Sequence, residues 1–118
     1  MSSNSGAFHA SGDTLWTKIY GGVFDDGAYS VQQTSDGGYI VAGWADSDYP
    51  NVWLIKTDAS GDSLWTKNYG ASKPDYGYSV QQTSDGGYII AGCANLLYLT
   101  HSSVYLIKTD ANGDVGEE

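Results

Sequence analysis

Short runs of Val, Ile, Thr, Tyr and Trp alternate along the chain with turns rich in glycine and aspartate. β-branched and aromatic residues favour the pleated surface of a strand, and turns such as residues 35–38, Ser-Asp-Gly-Gly, tolerate the positive φ of a tight hairpin. No stretch of ten or more residues places its apolar positions at helical spacing. The pattern therefore predicts eight strands, over residues 15–20, 29–34, 39–45, 52–58, 64–69, 78–83, 88–94 and 104–110.

An internal duplication organises these strands. Residues 12–45 match residues 61–94 at 24 of 34 positions, and residues 53–58 recur as residues 105–110 after a three-residue insertion. Four strands in a repeat of about 50 residues are typical of a β-propeller blade. The duplication divides the chain into an N-terminal extension (1–11), two repeats (12–60 and 61–114) and a C-terminal tail (115–118).

Four motifs between residues 29 and 65 carry a resemblance to a known family. They are Tyr29-Ser-Val-Gln-Gln, Asp36-Gly-Gly-Tyr-Ile-Val-Ala-Gly, Trp53-Leu-Ile-Lys-Thr-Asp and Leu64-Trp65. Together they resemble a kelch-type propeller blade, and the whole chain is similar to arrays of near-identical blades in prokaryotic surface or secreted proteins. The resemblance implies an all-β fold of two four-stranded antiparallel blades, and a propeller needs at least four blades to close.

The apolar pattern predicts that the missing blades come from other copies of the chain. Residues 39–43, Tyr-Ile-Val-Ala-Gly, are apolar throughout, as in a strand that is covered on both faces. Two isolated blades would each leave an apolar face in water, which is unusual for a soluble monomer. We therefore expect a cyclic, head-to-tail homo-oligomer, a trimer with six blades or a tetramer with eight, in which residues 15–20 complete a sheet of a neighbour. The alternative is a segment of a longer propeller array.

Some residues that are identical in the two repeats are expected to be structural. Trp16 and Trp65 are predicted to pack between blades. The kelch resemblance implies that the strand carrying the glutamine pairs 32–33 and 81–82 lies beside the central channel, where one amide of each pair would line it.

Binding residues are expected where the repeats differ. The Asp-Gly-Gly turns are the same in both repeats, whereas the connections over residues 21–28 and 46–51 differ in chemistry or length from their counterparts. Loops on a rigid scaffold are where binding residues usually lie, and Trp44 could stack on a carbohydrate or a peptide. The candidate ligand-binding residues are Asp25, Asp26, Trp44, Asp46, Asp48, Tyr49, Asp75, Tyr76, Tyr98 and His101.

These features predict a non-enzymatic, self-assembling scaffold that binds a protein or a glycan through its variable loops. One alternative is a purely structural repeat with no ligand. A second is a carbohydrate-active enzyme, which would need two carboxylates at a suitable separation, drawn from pairs such as Asp25/Asp26 or Asp46/Asp48. No catalytic residue is assigned, because the chain lacks a Gly-x-Ser-x-Gly nucleophile motif.

Composition and charge exclude several other classes. A net charge of −9 leaves too few Lys and Arg for a nucleic-acid partner, and no apolar run is long enough to predict membrane insertion. Cys93 has no second cysteine to pair with, and with only two histidines the chain predicts neither a metal site nor a cofactor. The chain begins without a signal peptide, yet the resemblance to surface arrays points to an extracellular or cell-surface location.

Overall fold

The structure, a computed structural model, describes residues 15–21, 25–45, 51–70, 75–94 and 103–116. Every regular element in these residues is a strand, so the prediction of an all-β fold is confirmed. None of the described residues forms a helix that could cross a membrane. The strands are β1 (Asp26–Gln33), β2 (Tyr39–Ala45), β3 (Asn51–Thr57), β4 (Ser63–Tyr69), β5 (Asp75–Gln82), β6 (Tyr88–Ala94) and β7 (Ser103–Thr109).

The strands form two antiparallel sheets in which neighbours in sequence are neighbours in space. The first sheet has the order β1-β2-β3-β4 and the second has the order β5-β6-β7. Because each strand runs opposite to the one before it, the turns after β1, β3, β5 and β7 lie at one end of the sheets, which we call the turn end. At the opposite end, which we call the variable end, lie the strand ends next to the connections that differ between the repeats.

In the described residues, the first sheet has four strands, as predicted, and the second has three. The reason is that the fourth strand of a sheet comes from the start of the next repeat: β4 begins the second repeat but pairs with β3. Residues 15–20, predicted as a strand, have no regular secondary structure, because no strand lies beside them among the described residues.

Each hairpin at the turn end is closed by its own aspartate. In the β1–β2 turn, Asp36 Oδ1 accepts hydrogen bonds from the Thr34 hydroxyl at 2.5 Å and from the Gly38 amide at 2.9 Å. Gly37 takes a φ of +89°, and a Cβ at Gly38 would collide with the Thr57 carbonyl. The second repeat builds the same turn on Asp85. Gly37 is therefore required by its backbone conformation, and Gly38 is required because no side chain fits there.

The core lies between the two sheets. We define the front face of the first sheet by Ile40, Ala42, Val52 and Leu54, all fully buried, which pack on the back face of the second sheet, defined by Val80, Tyr88, Ile90 and Ile107. Trp65 on β4 packs against this core, with its ring 6.1 Å from that of Tyr88, which confirms that this tryptophan packs between sheets. By the repeat, the second sheet has its own front face, made of Ile89, Ala91, Val104 and Leu106.

Side chains of β1 also bind the exposed backbone edge of β5. The Gln32 side-chain carbonyl accepts a hydrogen bond from the Gln82 amide at 2.7 Å, and the Ser30 hydroxyl accepts one from the Val80 amide at 3.2 Å. An edge strand presents unpaired N–H groups, and here the neighbouring sheet satisfies two of them. Gln32 therefore has a structural role in joining the two sheets.

Candidate functional site

Half of the sequence-predicted binding residues fall in the described part of the chain, and all of these lie at the variable end. They are Asp25, Asp26, Trp44, Asp75 and Tyr76. The others lie outside the described residues, namely Asp46, Asp48, Tyr49, Tyr98 and His101.

Two of the described candidates, Trp44 and Tyr76, come together across the sheets. Their ring centroids are 5.8 Å apart with a T-shaped arrangement. Tyr76 in turn stacks on Tyr78 at 6.4 Å, and Tyr78 lies 4.7 Å from Tyr29 of the first sheet. We call these four rings the aromatic cluster. Their spacings fall in the range of favourable aromatic pairs, so the rings pack on one another and present a surface rather than framing a cavity.

Two β-bulges orient the tyrosines of this cluster. The pairing of β1 with β2 skips Tyr29, between Ala28 and Ser30, and the pairing of β5 with β6 skips Tyr78 in the same way. A bulge leaves one residue unpaired and re-aims its side chain. Both rings remain about half exposed. Sequence reasoning missed these two residues as site members, because their identity in both repeats looked like an ordinary strand position.

Close backbone contact positions the tryptophan. Trp44 lies over β1 at Gly27, where a Cβ would stand 2.7 Å from the indole Nε1. The second repeat has Tyr76 at the position of Gly27 and Cys93 at the position of Trp44. The aromatic cluster is therefore built from residues that differ between the repeats as well as from two that do not.

Asp26 and Asp75, the first residues of β1 and β5, have a different environment from the aromatic cluster. Asp75 is only 4% exposed and packs against Gly70, which has a φ of +108°. Asp26 is half-buried and packs in the same manner against Gly21. Burial, followed by the charge of Asp75, raises the pKa of Tyr105. These carboxylates therefore contact the protein interior, whereas Asp25 is exposed.

The Tyr78 hydroxyl of the cluster stays protonated at neutral pH. Burial, and secondarily the hydrogen bond from the Cys93 thiol at 4.0 Å, raises the pKa of Tyr78. A neutral phenol both donates and accepts hydrogen bonds. The cluster can thus offer flat apolar rings and hydroxyl groups to the same ligand.

Charged groups at the turn end are held in structural contacts. Hydrogen bonds from Thr34, Gly38 and Lys56 lower the pKa of Asp36 to about 2, and the same set of contacts lowers the pKa of Asp85. The Asp58 carboxylate accepts hydrogen bonds from the Ser60 and Asp62 amides within its turn. In the part of the chain that the structure describes, no three His, Cys, Asp or Glu side chains group as metal ligands would.

Comparison with known proteins adds no relative: no protein-family model matches the chain, and no curated protein matches it. The kelch resemblance therefore stays a prediction that rests on the motifs in the sequence.

Proposed function

We propose that the chain is a non-enzymatic, self-assembling scaffold of the propeller type, in which three or four copies pack front face to back face in a ring. One observation carries this proposal. Val104 and Leu106, on the front face of the second sheet, are 86% and 65% exposed, whereas their counterparts Val52 and Leu54 are fully buried against the second sheet.

The energetics favour covering this face. Burying a Val or Leu side chain contributes about 1.5–3 kcal/mol, and adjacent exposed apolar residues mark interaction surfaces in soluble proteins. The first sheet already demonstrates which surface such a front face accepts, namely the back face of a second sheet. In another copy, the equivalent back face is that of the first sheet, where Val31 is 64% exposed and Val41 is half-buried. Repetition of one interface between copies is head-to-tail assembly, which closes into a ring when the rotation permits.

Light scattering tests the assembly directly. The chain has a mass of 12.6 kDa, so a ring gives about 38 kDa for three copies or about 50 kDa for four. A Leu106→Asp variant should reduce the mass to that of one copy, because the charge would be buried in the interface. The control is Leu64→Asp, which changes an exposed leucine on β4 of the first sheet. A single-copy mass for the unaltered chain at high concentration would contradict the proposal.

The scaffold would present the variable end to a ligand, and the aromatic cluster favours a carbohydrate. Sugar rings stack their apolar faces on exposed Trp and Tyr, and their hydroxyls pair with the phenols. A glycan array followed by titration calorimetry tests this function. Trp44→Ala should abolish binding without changing the assembled mass, whereas Trp53→Tyr, which reproduces the residue of the second repeat, should leave binding intact. Binding that survives Trp44→Ala, or an array without a hit, would contradict a carbohydrate site at the cluster.

A further inference from the structure

Residues 15–20 pack on the first sheet through three contacts. Trp16 covers Gly61 and meets the ring of Tyr39 at 6.0 Å. The Lys18 ammonium lies 2.7 Å from an Asp62 carboxylate oxygen. The Tyr20 hydroxyl donates a hydrogen bond to the Gly61 carbonyl.

Strand β4 packs on the second sheet through the same three contacts. Trp65 covers Gly113 and meets the ring of Tyr88 at 6.1 Å. Lys67 lies 2.7 Å from Asp114, and the Tyr69 hydroxyl donates a hydrogen bond to the Gly113 carbonyl at 2.5 Å. Residues 15–20 therefore lie against the first sheet as β4 lies against the second.

The two segments differ on their other side. β4 is at the same time the fourth strand of the first sheet, because it pairs with β3 from Val52 to Thr57. Residues 15–20 pair with no strand in the described residues, and Ile19 is 97% exposed. The segment thus has the packing of a last strand but lacks the sheet to which such a strand belongs.

The second sheet, in turn, lacks a fourth strand in the described residues. Its last strand, β7, has β6 on one side and no strand on the other in the described part of the chain. A groove runs along this free edge, bounded by Tyr69 and by Leu106, Lys108 and Val115. In the first sheet, β4 occupies the corresponding edge of β3.

We propose that residues 15–20 of one copy pair antiparallel with β7 of a neighbouring copy, in the register that β4 takes with β3. This pairing opposes Tyr20 to Val104, Ile19 to Tyr105 and Lys18 to Leu106 of the neighbouring copy. The inference rests on the proposed assembly and names the segment that links its copies. It converts face-to-face packing into an exchange of strands, with main-chain hydrogen bonds across each interface.

A second set of contacts follows from the same arrangement. Within one copy, Ser30 and Gln32 of β1 accept hydrogen bonds from the amides of β5. Their counterparts Ser79 and Gln81 on β5 are exposed. The head-to-tail step that delivers residues 15–20 to β7 also brings Ser79 and Gln81 to the β1 edge of the neighbouring copy, where the amides of Val31 and Gln33 would be their donors.

Disulfide cross-linking between two differently substituted copies tests the register. Both chains carry Cys93→Ser; one carries Lys18→Cys and the other Leu106→Cys, and they are co-expressed and oxidised. Hydrogen-bonded and non-hydrogen-bonded pairs alternate along a ladder and differ in Cα separation, so the neighbouring pair Ile19→Cys with Tyr105→Cys is tested in parallel. The matched control combines Lys18→Cys with Ser103→Cys, which is about 10 Å out of register.

The proposal expects a covalent dimer in at least one of the two in-register combinations and none in the control. Light scattering on the same samples separates the two levels of inference. Oligomers that form without an in-register cross-link would overturn the strand exchange but leave the assembly standing. Single copies in the unaltered chain would overturn both. An equally strong cross-link in the control would overturn the register.

Discussion

The front faces of the two sheets have closely similar residues and opposite environments. Val52 and Leu54 of the first sheet are fully buried, whereas Val104 and Leu106 of the second are largely exposed. The next residue on this side of each strand is a lysine, whose side chain is 6% exposed at Lys56 and 46% exposed at Lys108. The difference shows that burial in a repeat protein is set by the neighbouring sheet and not by the residue itself.

Truncating the two leucines should produce the largest contrast. Leu54→Ala leaves a cavity between the sheets and should cost about 2–5 kcal/mol of unfolding free energy. Leu106→Ala should cost under about 1 kcal/mol in dilute single copies, because water already contacts its side chain. Urea unfolding at low and high protein concentration measures both. The cost of Leu106→Ala should rise with protein concentration, since assembly stabilises the folded state by mass action. A cost that is independent of concentration would contradict the burial of Leu106 in an assembly.

Removing the aspartate partner of each lysine should give an intermediate effect. Asp36 pairs with the buried Lys56 at 3.1 Å, and Asp85 pairs with the exposed Lys108 at 3.0 Å. Asp36→Ala should cost about 1–3 kcal/mol, because it removes the carboxylate that satisfies a buried ammonium group. Asp85→Ala should cost less, because water solvates Lys108. Thermal unfolding of the two variants in dilute solution measures the difference, and equal losses would show that burial of the lysine is irrelevant.

The glutamines that bind across the sheets allow a finer test. Gln32→Ala removes the hydrogen bond to the Gln82 amide and should cost about 0.5–1.5 kcal/mol. Gln81→Ala should leave a single copy unchanged but weaken the assembly severalfold. Analytical ultracentrifugation over a dilution series, with unfolding measured at the lowest concentration, separates the two results. A loss of stability from Gln81→Ala in single copies would contradict the equivalence of the two positions.

Lowering the pH should change the stability of the fold less than any of these substitutions. The pKa of Asp36 is lowered to about 2 by its hydrogen bonds from Thr34, Gly38 and Lys56. A lowered pKa stabilises the fold above the unfolded-state value near 4, and this contribution is lost as the pH falls towards 2. The carboxylate is exposed, so the loss is modest. The melting temperature of Asp36→Asn should therefore decline less than that of the unaltered chain between about pH 4 and pH 2; parallel declines would exclude the contribution.

Much of the candidate site could be located from sequence, although its composition could not. The difference between the repeats predicts a site at the variable end, and it predicts Trp44 and Tyr76 as members of that site. Their contact, at 5.8 Å, joins two sheets and depends on how those sheets pack. Tyr29 and Tyr78 belong to the cluster because β1 and β5 each contain a bulge at these residues. A bulge depends on cross-strand register, which local residue preferences do not determine.

The sequence by itself determined seven of the eight predicted strands, the turns and the repeat, because strand propensity and glycine turns act over a few residues. It also indicates that strands apolar on both faces must be covered by other parts of the protein on each side. Only the tertiary structure decided that residues 15–20 have no regular secondary structure in one copy, that Asp75 is buried, and that one front face is covered while the other is open. Those outcomes depend on contacts between residues about 50 positions apart, which compete among near-identical partners.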